Sequence, residues 1–294
     1  MKLNNKSNRI QVGILMSPAL LIFAIFTIIP IIRLFFMSFH EWNLSSMFEQ
    51  SFIGIKNYKV VFKDNFFWTS FTNTIVYAIV TVPLQMLLGL IVAILIDGIK
   101  KMSVTFRILN YLPVITSWVI ASLVFKYIFN TEGLLNYFIS NILNIGNNNI
   151  HWLDNRWSGL WVIMFLGTWK GIGWNMVVFF AALQQVPKEL YEASSLDGCK
   201  TIRTFFSITL PSIKPTILFA WVMLTIGAFN VYTSVKLMTN GAPAHKTETL
   251  LTWMYYKAFS TGEFGYSAAL SFVMAFSLAL IAVFQFKIIS KKEN

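Results

Sequence analysis

Six long apolar runs, at roughly residues 13–37, 70–96, 108–129, 157–183, 212–235 and 264–288, constrain this chain more than any other feature. Each reaches the about 20 residues that a helix needs to cross the hydrocarbon of a bilayer. Hydrocarbon supplies no water to pair with backbone N–H and C=O groups, so only helices or closed barrels can span it. These runs are too long and continuous for barrel strands, which alternate over short segments. The expected fold class is therefore all-α, a polytopic membrane helical bundle with six transmembrane helices. The composition fits, since 56% of the 294 residues are hydrophobic, only 12% are charged and Phe alone occurs 28 times, far from a soluble balance.

The first run follows Lys2, Lys6 and Arg9 as a signal peptide would. Its apolar stretch is too long for one and no small-x-small cleavage site follows, so it reads as a retained helix. The net charge of +11 raises the question of nucleic acid, and the placement of the charges answers it. With the N-terminus inside, 13 of the 23 basic residues fall on the inner segments: Lys2, Lys6, Arg9, Lys100, Lys101, Arg107, Lys188, Lys200, Arg203, Lys214, Lys287, Lys291 and Lys292. The outer loops hold Lys56, Lys59, Lys63, Arg156, Lys246 and Lys257, while Arg33, Lys126, Lys170 and Lys236 lie within or at the ends of spans. This asymmetry places both termini in the cytoplasm and sets the basic loops against anionic lipid, with no nucleic acid required.

No loop has the roughly 50 residues at which globular domains begin, so residues 1–294 read as a single membrane domain. Asn147, Asn148 and Asn149 mark a polar loop tip. Cys199 is alone, and His40, His151 and His245 sit on different outer loops without metal-ligand spacing, so neither a disulfide nor a metal site is expected.

The fourth and fifth runs are separated by a charged island, residues 187–211. Pro187 suits the first position of a helix because its φ is already helical. Glu189 and Glu192 favour the positive end of that helix, and Gly198 sits where a left-handed residue would close it after about 15 Å. From Lys200 to Leu210, two cations mixed with Ile202, Phe205, Phe206 and Ile208 suit the headgroup boundary. Pro211 opens the next span. A short helix held out into the cytoplasm in this way is shaped to plug a partner's groove.

Within the island, Glu192-Ala193-Ser194, then Gly198, then Ile208-Thr209-Leu210-Pro211 resembles, in register, the signature Glu-Ala-Ala, three residues, Gly, nine residues, Ile-x-Leu-Pro. That signature marks the inner-membrane permease subunits of binding-protein-dependent ABC importers, and Ser194 is its one departure here. Phe52 to Tyr58, Asn73-Thr74, Gly133 to Asn136, Trp152-Leu153, Ala182 to Pro187 and Leu237 to Pro243 are similar to the carbohydrate-uptake branch, including permeases for glycerol phosphate, lactose and multiple sugars.

The resemblance implies a coupling helix that docks on a separate ATPase. Glu192 would pair with a basic residue there, Ala193 and Ser194 would allow close approach, Gly198 would make the turn, and Asp197, Ile208, Leu210 and Pro211 would complete the docking segment. It also implies a second homologous permease subunit, two ATP-binding cassette subunits that carry ATP and Mg, an extracytoplasmic solute-binding protein, a sugar substrate and a bacterial inner membrane. This chain lacks the G-x-x-x-x-G-K-[ST] loop that cradles phosphates, so no cofactor and no catalysis of its own are expected.

Alternating access requires a ligand path near the midplane. Trp169, Lys170, Gly171, Trp174 and Asn175 put a charge, a glycine, two indoles and an amide near the middle of the fourth run. With Asn230, Tyr232 and Thr233 of the fifth, they are the candidate path residues. An intramembrane Lys marks function by default, although Lys170 can equally pair structurally or snorkel, and the partner permease can line the path alone. A self-sufficient secondary carrier or channel would want related halves or central acid–base pairs. A membrane enzyme would want a catalytic constellation within the spans. Asp97 lies at a span end and no carboxylate is central.

Overall fold

The computed structural model describes residues 5–44, 50–99, 101–143 and 150–290. Lys2, Lys100, Asn147, Asn148, Asn149, Lys291 and Lys292, used above, lie outside them. Five described helices are long and apolar enough to cross a membrane: α1 (Val12–Ser38), α2 (Asn65–Asp97), a fourth-run helix, a fifth-run segment broken near its end, and a sixth-run helix. The third run departs from the expected single helix. It forms α3 (Ser103–Ile115) and α4 (Trp118–Ile128), bent by 88°, and counting this pair as one span gives six.

Further elements include α5 (Arg156–Leu183), the short α6 (Lys188–Leu196), α7 (Lys214–Phe229), α8 (Thr233–Met238) and α9 (Phe264–Ser290). The chain divides into two compact units, residues 1–64 with 254–273, and residues 65–253 with 274–294.

In the first unit, α1 buries none of its most apolar stretch. Leu15 and Phe26 stand 80% and 74% exposed, as suits a helix that is apolar all round and meets lipid or another apolar surface. Beyond α1, a small hairpin pairs His40–Glu41 with Ser51–Phe52. Asn57 fixes it by donating to the carbonyls of Ser38 and His40 at 2.9 and 3.0 Å. Tyr266 donates to Asp64 at 2.6 Å, and Lys257 pairs with Glu263 at 2.9 Å.

The second unit is built on α2 and α5, whose contact depends on glycine. Small residues let helix backbones approach closely where no hydrophobic force drives association. Gly167 and Gly171 of α5 are four residues apart and therefore share a face. Gly167 receives the Tyr77 hydroxyl and Gly171 the Gln85 amide, and a Cβ at either position would collide with those groups. Gln85 also donates to the Gly167 carbonyl at 3.2 Å. From the other side, Gly89 of α2 sits on Asn175, and Gly173 accommodates the α3 backbone at Asn110.

Two apolar clusters flank this level. One holds Leu160, Ile163, Met164 and Leu166 with Val82, Ala228 and Val235. The other holds Met176, Phe179 and Leu183 with Ala93, Ile96, Ile213 and Ala220. The segment after α8 is tied back to α2, where Asn73 donates to the carbonyls of Lys246 and Glu248 at 2.8 and 2.6 Å and accepts from Arg156 at 3.0 Å. The Thr74 hydroxyl accepts from the Leu250 N–H at 2.9 Å.

Replacing Gly89 by Leu forces α2 away from Asn175. Overpacking of this kind costs about 1–3 kcal/mol, so the thermal unfolding temperature of the purified protein should fall. Gly13→Ala, which meets nothing within 4 Å, should leave it unchanged.

Candidate functional site

The two helix breaks of the second unit face one cavity of about 370 Å³. It lies at the level of α5 between the two apolar clusters. Lys170 is the fifteenth of the 28 residues of α5, about 21 Å from either end.

The first break follows Pro113 and is capped by Lys170. Pro113 has no N–H to continue the α3 ladder, and Thr116 and Ser117 take extended backbone angles, with ψ of 134° and 139°. Ser117 then starts α4 by accepting the Val119 N–H at 3.3 Å. The last carbonyls of α3 lack partners within their own helix. Lys170 supplies the donors, reaching the Pro113 carbonyl at 2.7 Å and that of Thr116 at 2.5 Å, with its ammonium 5.0 Å above the Trp118 ring. A cation at a helix C-terminus is also favourable to the dipole. Only 4% of Lys170 is exposed. Its structural role is thus defined: it crosses from one span to hold the corner of another.

The second break separates α7 from α8. Asn230 closes α7 by returning its amide to the Ile226 carbonyl at 2.9 Å, and Tyr232 takes φ −133°, ψ −61°. The freed Val231 carbonyl accepts the hydroxyl of buried Thr249 at 2.9 Å. Side chains from elsewhere therefore satisfy both breaks.

Of the candidate path residues, Lys170, Gly171, Trp174, Asn230, Tyr232 and Thr233 line the cavity. Trp169 turns away and packs on Phe125, their ring centroids 5.5 Å apart. Asn175 is fully buried, donates to the Gly171 carbonyl at 2.9 Å and supports the α2–α5 contact instead. The sequence reading missed Tyr77, Thr81 and Gln85 of α2, and Trp118 at the corner. The first three recur every four residues as a polar stripe in an apolar run, a pattern visible in the sequence once the helix is drawn. Among the described residues on this wall, only Lys170 is charged.

The island folds as a closed helix and an anchor. α6 begins at Lys188, with Pro187 one residue earlier than the first helical position. Gly198 takes φ +69°. Its N–H donates to the Ser195 carbonyl at 3.1 Å while Cys199 N–H reaches that of Ser194 at 3.0 Å, the two bonds of a Schellman closure. Glu192, Ala193, Asp197 and Gly198 are exposed, and Leu196 is 90% exposed. Ser194 faces inward, buried, with its hydroxyl 2.7 Å from that of Thr204. Tyr191 and Ile208 pack on the cluster around Phe179 and Leu183, and the Tyr191 hydroxyl lies 3.2 Å from Thr209. Leu210 and Pro211 open the turn Leu210–Ser212 that leads into α7.

Residues 50–292 match the family described as binding-protein-dependent transport system inner membrane component. The chain belongs to that family. It is 34% identical over 283 residues to the probable ABC transporter permease protein YurN of Bacillus subtilis, covering 95% of this chain and 96% of that one. It is 32% identical over 282 residues to the arabinooligosaccharides transport system permease protein AraP of Halalkalibacterium halodurans, covering 95% and 87%. Its fold superposes, with a TM-score of 0.84 over 99% of this chain and 100% of the other, on a chain of a bacterial ABC transporter involved in import of the acidic polysaccharide alginate, at 21% identity. A membrane component of a transport system agrees with a cavity bounded by broken helices near the middle of the spans.

Lys170→Met removes two charge-assisted donors and leaves two partly buried carbonyls unpaired, at a cost of about 1–3 kcal/mol each. Thr249→Val removes one neutral donor in nearly the same volume, at a cost of about 1 kcal/mol. Thermal unfolding of the purified protein should rank wild type above Thr249→Val and Thr249→Val above Lys170→Met. The reverse order would show that the ammonium contributes nothing at the corner.

Proposed function

We propose that this chain is one membrane subunit of an ATP-driven, binding-protein-dependent sugar importer and forms half of the translocation path. The observation that carries this reading is the family match over residues 50–292, which includes an exposed, Schellman-closed α6 between two spans. A second homologous permease completes the path, an extracytoplasmic binding protein delivers the sugar, and two ATPase subunits hold ATP and Mg. Relatives named for oligosaccharide transport support a sugar as cargo. The chain itself is non-catalytic. The basic residues of the inner segments support an orientation with both termini and α6 in the cytoplasm.

The exposed side of α6 is the docking surface. Glu192 and Asp197 offer carboxylates to a basic ATPase groove, and Leu196 offers the apolar knob that interfaces use as an anchor. The inward face keeps the helix rigid, with Ser194, Tyr191 and Ile208 holding it to the chain. The path runs through the cavity, whose Trp174 face and Asn230, Thr233 and Gln85 polar groups suit a sugar's apolar and hydroxyl faces.

The test is uptake of labelled sugar by the reconstituted complex, together with ATP hydrolysis stimulated by the loaded binding protein. Gly198→Pro cannot adopt φ +69° and loses the N–H that closes the helix, so it should insert into the membrane yet lose ATPase association and uptake. Glu192→Ala should weaken association with insertion intact. Unchanged uptake in the double variant would remove the docking claim, and uptake that persists without the ATPase subunits would point to a self-sufficient carrier.

A further inference from the structure

A second opening of about 590 Å³ lies between α3 and α5 and takes no part in the path. Its two ends differ chemically. Arg107, in the second turn of α3, and Gln184, just beyond α5, mark one end, where α3 begins and α5 stops. Ile115 and Val177 mark the other, about 12 Å deeper along the helices. Ile108, between them, is 58% exposed, and Ile115 is 71% exposed.

Arg107 is held by an aromatic ring. Its guanidinium lies 4.8 Å from the centroid of the Phe180 ring, and its buried Nε has no hydrogen-bond partner among the described residues. Among the described residues no carboxylate forms an ion pair with it. A guanidinium presents a planar fork of donors matched to phosphate or carboxylate oxygens, and one fixed at the end of an apolar groove selects a ligand that carries an anion at one end and hydrocarbon at the other.

We propose that this groove binds an anionic phospholipid, with its phosphate on Arg107 and one acyl chain along Ile108, Ile115 and Val177. Free phosphate would leave that apolar floor uncovered, whereas a lipid matches both ends. Basic pockets between transmembrane helices take anionic headgroups by the same chemistry.

Native mass spectrometry of the complete importer, released from nanodiscs of phosphatidylcholine mixed with phosphatidylglycerol, tests this. Wild type should retain phosphatidylglycerol, as should Lys101→Gln, which removes a neighbouring exposed cation. Arg107→Gln should lose that lipid. Ala181→Trp, which fills the groove with Arg107 intact, should lose it too, and it decides the matter if Arg107→Gln fails to assemble. Millimolar inorganic phosphate should not displace the lipid. Equal retention in wild type and both groove variants would overturn the proposal, as would displacement by inorganic phosphate. Capture of the partner permease, rather than lipid, by a photo-cross-linker at position 115 would overturn it as well.

Discussion

A backbone carbonyl inside hydrocarbon must find a donor within protein, and this requirement fixes where the spans can break. The second unit breaks two of them, after Ile115 and after Phe229, and each break is met by a side chain from another element: the Lys170 ammonium at the first, the Thr249 hydroxyl at the second. Without such donors an 88° corner between α3 and α4 would leave carbonyls unpaired in an apolar setting. Residues at both breaks line the cavity, together with side chains of α2, α5 and α7. Irregular backbone is tolerated at membrane depth where it is covered by protein or lines a cavity, and here it does both.

The glycines of α5 make that geometry possible. Gly167 and Gly171 bring α2 close enough for Tyr77 and Gln85 to reach the cavity wall, while Gly173 lets the α3 backbone come close to α5 at Asn110, within reach of the Lys170 ammonium. A side chain at any of the three would widen a helix pair by pushing on a hydroxyl, an amide or a carbonyl. The sequence Gly-Thr-Trp-Lys-Gly-Ile-Gly is therefore a packing surface and a cap in one stretch, which explains why a lysine can sit there at all.

The five long apolar helices were legible from hydrophobicity because their cause is local: about 20 apolar residues are needed wherever hydrocarbon is crossed. The closure of α6 was legible for the same reason, since a left-handed cap needs glycine at one position. The corner in the third run was not. Pro113 hinted at it, but Pro is tolerated within transmembrane helices, as Pro83 in α2 shows, and what distinguishes the two is the donor brought from Lys170, 57 residues away in the chain. Asn175 was read as a path residue because an amide in an apolar run looks functional, while its position beneath Gly89 gives it a packing role. Ser194 is expected from the motif to allow close approach, and its hydroxyl lies against that of Thr204 within the chain. In each case the missing information was a tertiary partner.

The inward face of α6 also bears on how docking would reach the cavity. α6 is joined to the anchor segment by Ser194–Thr204 and Tyr191–Thr209, and the packing of Tyr191 and Ile208 on the cluster of Phe179 and Leu183 joins both to a span. Those two cluster residues belong to α5, the helix that carries Lys170 in its middle. A helix of 28 residues moves largely as a body, so a displacement applied at α6 shifts Phe179 and Leu183 and carries the ammonium with them. The Pro113 and Thr116 carbonyls then either follow, which moves α3 and α4 around the corner, or lose their donor, which costs about as much as two charge-assisted hydrogen bonds. Coupling through such a chain requires an element with two arrangements, and the extended pair Thr116–Ser117, where α3 stops and α4 starts, is where the backbone leaves helical angles.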